Sequence, residues 1–172
     1  MTELVAPVAS VQERFALAKT ASRAIGALSG AQKTSVLNAI ADALVDATAQ
    51  IVAANAEDLR RGVSNALANG LLDRLRLDEA RVEGLASAVR EVAVLPDPVG
   101  EVVRGHRSPT GVQIEQVRVP FGVIGAIYEA RPNVTVDIAA IALRSGNAVV
   151  LRGGTDAEAS NKVLVGVMRD TL

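Results

Sequence analysis

The stretch Val119–Gly154, VPFGVIGAIYEARPNVTVDIAAIALRSGNAVVLRGG, decides the fold. It opens with small and apolar residues, Gly122 to Ile127, and then breaks into Tyr128-Glu129-Ala130-Arg131-Pro132-Asn133. The apolar run predicts a buried strand over Gly122–Tyr128. Behind the polar break, Val134–Arg144 reads as a helix with Val134, Ile138, Ile141 and Ala142 near one face. Gly146-Asn147 carries helix-ending chemistry. Ala148–Leu151 is a second short apolar strand, and Asp156–Arg169 a second helix. Strand, helix, strand, helix at this spacing predicts a βαβ crossover joining two parallel strands.

Upstream the pattern changes twice. The first hundred residues are rich in Ala, Leu, Lys and Arg and predict helices. One is expected over Val8–Leu28. A second follows Ser29, with Val36, Ile40, Leu44, Ala47 and Ile51 lining one face. Asn55 and Asp58 are expected to restart a helix, and Asn69-Gly70 to break one. Asp78 is a plausible N-cap for a helix whose Val82, Leu85, Val89 and Val92 share a face. Pro96 and Pro98 in Leu95–Gly100 end the helical part. Two β-rich runs then flank Ser108-Pro109-Thr110-Gly111, predicting a hairpin. The expected divisions are 1–97 for a helical region, 98–120 for the hairpin and 121–172 for the βαβα unit.

Composition bounds the function. Of 172 residues 49% are hydrophobic and 22% charged, which suits a packed core. A net charge of −1 offers no general attraction to nucleic acid or to a membrane surface. Aromatic residues, at 2%, are too few for a base-stacking platform. The absence of cysteine excludes disulfides, zinc–thiolate sites and thiol catalysis by these residues alone. The single histidine, His106, sits in the hairpin, so a metal site and a histidine general base have little support, and a surface position is expected. The first fifteen residues lack the basic and apolar segments of a signal peptide. No apolar run reaches the roughly 18 residues that suggest a membrane span. A soluble cytoplasmic protein is the expectation.

In an open α/β sheet, ligands collect beyond the carboxyl ends of the strands. Tyr128–Asn133 lies at one such end and Arg152-Gly153-Gly154-Thr155 at the other. Glycines allow close approach to the backbone, and amides at a following helix start attract anions. Arg152 adds a positive charge suited to phosphate. No GxGxxG is present, and the RGGT run also reads as an ordinary strand-to-helix connection.

These residues carry a resemblance. YEARPNVTVD, SGNAVVLRGG and SNK, with QKTSVLNAIADAL, IVAANAEDL and LLDRLRLDEARVEGLASAVREVAVLPDPVGEV upstream, resemble the gamma-glutamyl phosphate reductase family of the aldehyde dehydrogenase superfamily. The resemblance covers nearly all of the chain but less than half of the enzyme, its N-terminal part. It implies an α/β, aldehyde dehydrogenase-like fold: N-terminal helices, a β-hairpin for oligomerisation, and the first βαβα unit of an incomplete Rossmann-like cofactor domain. It implies NADPH-dependent reduction of L-glutamyl 5-phosphate to glutamate 5-semialdehyde and phosphate in proline biosynthesis. The family uses a cysteine thiolate, which this chain lacks, so the chain alone is expected to be inactive. A homo-oligomeric parent and association with glutamate 5-kinase are also implied.

By the same resemblance Asn133 would donate to the developing oxyanion, or serve only as a turn asparagine. Arg131 would hold the acyl phosphate or a substrate carboxylate, or pair with Glu129 or Asp137. Tyr128 and Glu129 would border the nicotinamide ribose, or be a strand-end aromatic and a solvated acid. Arg152 would meet the adenosine ribose and the extra phosphate of NADPH, with Gly153, Gly154 and Thr155 shaping the same pocket. Ser160-Asn161-Lys162 would reach the adenine end or face water. The competing function is a non-enzymatic assembly module in which the hairpin adds strands to a partner.

Overall fold

A computed structural model describes residues 10–129 and 131–172. Helix α1 spans Val11–Gly26 and begins in a capping box. The Ser10 amide donates to Glu13 Oε2 at 2.6 Å, and Ser10 Oγ accepts the Glu13 amide at 3.2 Å. The predicted start at Val8 lies outside the described residues. Ser29 repeats the device with Gln32 at the head of α2, Gly30–Asp46. The long apolar face anticipated after Ser29 is not one helix. The chain turns at Ala47 and restarts as α3, Thr48–Ser64. Asn55 and Asp58 therefore lie inside α3, fully buried, and do not restart a helix. Asn69-Gly70 does not break a helix either. Both belong to the first turn of α4, Asn69–Leu75, and the break falls earlier, where Ala66 takes φ +55°.

Asp78 caps α5, Glu79–Val94, by accepting the Arg81 amide at 2.9 Å. Helices α2 and α5 pack along each other and, with α3, α6 and α7, enclose the core of Leu37, Leu44, Ile51, Val82, Val89, Val136 and Leu164. The hairpin forms where the turn residues place it. β1, Val102–Arg107, pairs antiparallel with β2, Gln113–Val117, with an irregularity between Val102 and Arg104. Every residue of both strands is exposed.

The βαβα unit is present. β3, Val123–Ile127, and β4, Ala148–Arg152, run parallel from Val123 opposite Ala148 to Ile127 opposite Arg152. Between them lies α6, Pro132–Arg144; after them a 3-10 turn, Thr155–Ala157, leads into α7, Glu158–Thr171. Strand β3 is not buried as expected: Gly125 is exposed and Ile127 is 89% exposed, because β4 is its one pairing strand among the described residues. The buried side of α6 also differs in part, although Ala142 of the expected face is buried. Thr135, Val136, Ala140 and Leu143 face the core, whereas Ile141 is 56% exposed. Helix α1 lies against the sheet, the Phe15 ring facing Gly125. Gly146, at φ +77°, closes α6, and a Cβ there would stand 2.9 Å from Pro120 Cγ. No single described helix is long and apolar enough to cross a membrane.

Candidate functional site at the strand ends

The two strands deliver their trailing residues side by side. The Tyr128 amide continues the parallel ladder to the Arg152 carbonyl at 3.1 Å. From there the polar residues separate. Tyr128, Arg152, Gly153, Gly154 and Thr155 line one groove of about 1010 Å³, together with residues of α1 and α7. Glu129, Arg131 and Asn133 do not line it. Arg131 is the N-cap of α6 and is exposed; it forms no ion pair with Glu129 or Asp137. Asn133 follows the buried Pro132 in the first turn of α6 and is half-buried. Pro132 suits that position because its missing N–H is not needed at the first helical residue.

The groove has a cationic wall. Arg14, Arg152, Lys162 and Arg169 line it, and the one acidic side chain there among the described residues is Glu158, which pairs with Lys162 at 2.8 Å. Its floor is apolar, with Leu17, Ile25, Val149, Leu151, Val165 and Met168. This lining suits an elongated ligand with apolar faces and anionic groups. Arg152 is exposed, and its Nη1 donates to the Gly153 carbonyl, which turns the guanidinium across the loop it begins.

A hydrogen-bond chain fixes the inner end of the groove. Thr135 Oγ1 donates to Asn161 Oδ1 at 2.7 Å. Its proton being used, Thr135 accepts from the Tyr128 phenol at 2.5 Å. The end of β3, the first turn of α6 and the first turn of α7 are thereby tied together. Gly153 lies against this chain: a Cβ there would stand 2.3 Å from Asn161 Nδ2 and 3.2 Å from the Tyr128 ring. One helical turn past Asn133, Asp137 is half-buried; burial pushes its carboxyl above the ordinary value, and no ion pair offsets it.

Two sequence expectations fail here. Ser160 neither reaches the groove nor faces water. It is fully buried and donates to Asp58 at 2.6 Å, while Asn161 turns toward Thr135 and Lys162 alone of the three is exposed. Nor does α7 begin with free amides, since Asp58 accepts from Ala159 and Ser160 at 3.0 and 2.8 Å. Sequence reasoning missed Asn55, Asp58, Arg61 and Thr135. A signal existed for the first two. Ile51, Asn55, Asp58 and Gly62 follow helical spacing and are all buried, so two polar side chains stand on an apolar stripe. Thr135 carried no such signal, because its partners come from other elements.

No protein-family model matches the chain. The gamma-glutamyl phosphate reductase of Leifsonia xyli is 58% identical over 163 residues, which are 95% of this chain and 39% of that protein. The crystal structure of the gamma-glutamyl phosphate reductase from Thermotoga maritima superposes with a TM-score of 0.90 at 37% identity, over 94% of this chain and 39% of that one. An NAD-dependent benzaldehyde dehydrogenase from Corynebacterium glutamicum shares the fold at a TM-score of 0.70 and 20% identity, over 94% of this chain and 33% of its own. The chain thus spans well under half the length of the proteins it matches. In sequence and in backbone it is similar to the amino-terminal part of the gamma-glutamyl phosphate reductases, and its fold is a partial aldehyde dehydrogenase fold.

Proposed function

We propose that this chain is the cofactor-side portion of an NADPH-dependent reductase that converts L-glutamyl 5-phosphate to L-glutamate 5-semialdehyde and phosphate in proline biosynthesis. The observation that carries the reading is the convergence of Tyr128 and Arg152–Thr155 on one cation-walled groove at the carboxyl ends of two parallel strands. The names and the 58% identity of the relatives support the substrate, and the NAD-dependent neighbour supports a nicotinamide cofactor.

The lining fits a dinucleotide by its chemistry: apolar floor, exposed guanidinium and, among the described residues, a single acid that is already paired. Bound there, NADPH supplies a hydride. Arg152 holds the phosphate that separates NADPH from NADH, with Gly153, Gly154 and Thr155 shaping the wall beside it. Tyr128, on the groove, and Glu129, the next residue but outside the groove lining, border the ribose next to the nicotinamide. Asn133 donates its side-chain amide to the oxygen that gains charge when the acyl group is attacked. Arg131, exposed and outside any ion pair, forks onto the substrate's phosphate or carboxylate. The attacking thiol is not among the 172 residues, so the chain by itself binds without turnover.

Residues 1–97, 98–120 and 121–172 divide this work between a helical support, an assembly hairpin and the nucleotide half-site. The fully exposed hairpin, with Val102, Val103, Ile114 and Val117 open to solvent, favours self-association, which makes the parent a homo-oligomer. Association with glutamate 5-kinase and a cytoplasmic location complete the reading. Its test is a fluorescence titration with NADPH and with NADH. Saturable NADPH binding, weakened about tenfold or more by Arg152→Ala while NADH binding changes little, is expected for loss of a phosphate contact. No saturable binding, or equal losses for both nucleotides, overturns it.

A further inference from the structure

Helix α6 has a second face, away from the core. Thr135, Val136, Ala140 and Leu143 are buried, whereas Asn133, Val134, Asp137 and Ile138 are half-buried and Ile141 is 56% exposed. These five residues follow helical spacing and form one stripe. Asp137 is the sole charged side chain between Arg131, the N-cap, and Arg144, the last residue of the helix. Its neighbours on the stripe, Val134, Ile138 and Ile141, are all apolar.

The Asp137 carboxylate forms neither an ion pair nor a hydrogen bond among the described residues. Burial alone acts on it and pushes its carboxyl above the ordinary value. A desolvated carboxylate without a partner opposes folding, and an approaching cation relieves that cost. Charges held in such surroundings are characteristic of ligand sites.

The spacing from Asn133 says which cation fits. Side chains four residues apart on a helix lie about 6 Å from each other. In L-glutamyl 5-phosphate the α-ammonium stands about 5 Å from the acyl carbon, at carbon–carbon bonds of about 1.5 Å. With the acyl oxygen at Asn133, the ammonium comes within hydrogen-bond reach of Asp137. The order along the chain agrees: the cation Arg131, the amide Asn133 and the acid Asp137 follow one another as phosphate, acyl carbonyl and ammonium do along the substrate.

We propose that Asp137 recognises the substrate's α-ammonium group and so selects an amino acid over the equivalent acid without nitrogen. This role of a specificity-determining residue rests on the reductase reading of Arg131 and Asn133.

The test compares the chain with Asp137→Asn at pH 7 and constant ionic strength. The probes are L-glutamate, which carries the ammonium, and glutarate and N-acetyl-L-glutamate, which do not. The readout is the amide resonances of Asn133 and Asp137. L-glutamate is expected to shift both saturably and to bind about tenfold or more tighter than the other two, the scale of one hydrogen bond to a charged group. Asp137→Asn is expected to abolish that preference. Equal affinities in the unaltered chain, a preference that survives Asp137→Asn, or no saturable shift with L-glutamate overturns the proposal. Without a probe, Asp137→Asn is expected to melt about 2 °C or more higher, because it removes a desolvated charge that no described residue pairs. A lower melting temperature assigns the carboxylate to the fold and also overturns the proposal. The NADPH titration separates the two readings. A chain that takes up NADPH but shows no ammonium preference loses this inference alone. A chain that prefers L-glutamate but takes up no NADPH keeps the Asp137 site and loses the reductase.

Discussion

Gly153 shows how one residue can set the shape of the site. No Cβ fits there, because the place it would occupy is 2.3 Å from Asn161 Nδ2. Asn161 is a movable side chain, but moving it breaks its bond with Thr135, and Thr135 is what the Tyr128 phenol donates to. Gly153→Ala is therefore expected to cost about 1 kcal/mol, the scale of one lost hydrogen bond. The cost is expected to disappear largely in an Asn161→Ala background, where the collision partner is gone. Denaturant melts of the two single variants and the double variant measure it. A full cost persisting in the double variant removes Asn161 as the cause.

At the scale of elements, local chemistry accounts for most boundaries. Ser10 and Ser29 each precede a Glu or Gln three residues on, and both close capping boxes. Asp78 caps as its position suggests. Helix α7 is the exception, since its capping carboxylate comes from residue 58, about a hundred residues earlier in the chain. The hairpin differs in another way: its strands pair with each other and bury nothing. A two-stranded ribbon gains little stability alone. Ile114→Asp is thus expected to leave the melting temperature of the dilute chain unchanged within the roughly 0.5 kcal/mol of a surface substitution. Sedimentation at rising concentration is expected to show self-association lost in that variant. A fall in melting temperature with self-association intact would assign the hairpin to folding rather than to assembly.

Across the whole molecule, the helical region and the sheet meet at a charged junction. Lys33 of α2 is 0% exposed and holds Asp97 at 2.9 Å. Arg144, closing α6, donates to the Gly30 and Leu95 carbonyls and to Thr34 Oγ1. Burial works to raise the Asp97 carboxyl, but the Lys33 hydrogen bond, the Val99 amide and the charges of Lys33 and Arg144 outweigh it, holding the group below its ordinary value of 3.8. A depressed value means stability that is present above pH 3.8 and lost as pH falls through the folded value. Asp97→Asn leaves Lys33 buried without its countercharge. It is expected to cost about 3 kcal/mol at pH 7, at the low end for a broken buried pair because Asp97 is 21% exposed. Its stability is also expected to fall less steeply than that of the unaltered chain on acidification. Parallel acid limbs for the two proteins would place the pH sensitivity elsewhere.

What the amino-acid order determined by itself is whatever is settled over a few residues: the capping boxes, the hairpin turn at Ser108–Gly111, the parallel pair around α6, and the gathering of Tyr128 and Arg152–Thr155 at adjoining strand ends. Apolar period and turn chemistry act locally, so they can be read without coordinates. Only the tertiary structure decided which polar residues face inward. Asp58 looks like a helix starter, Ser160 like a groove residue and Thr135 like nothing in particular until α3, α6 and α7 come together. A buried polar side chain is stable only beside its partners, and here those partners come from elements as far as about a hundred residues apart.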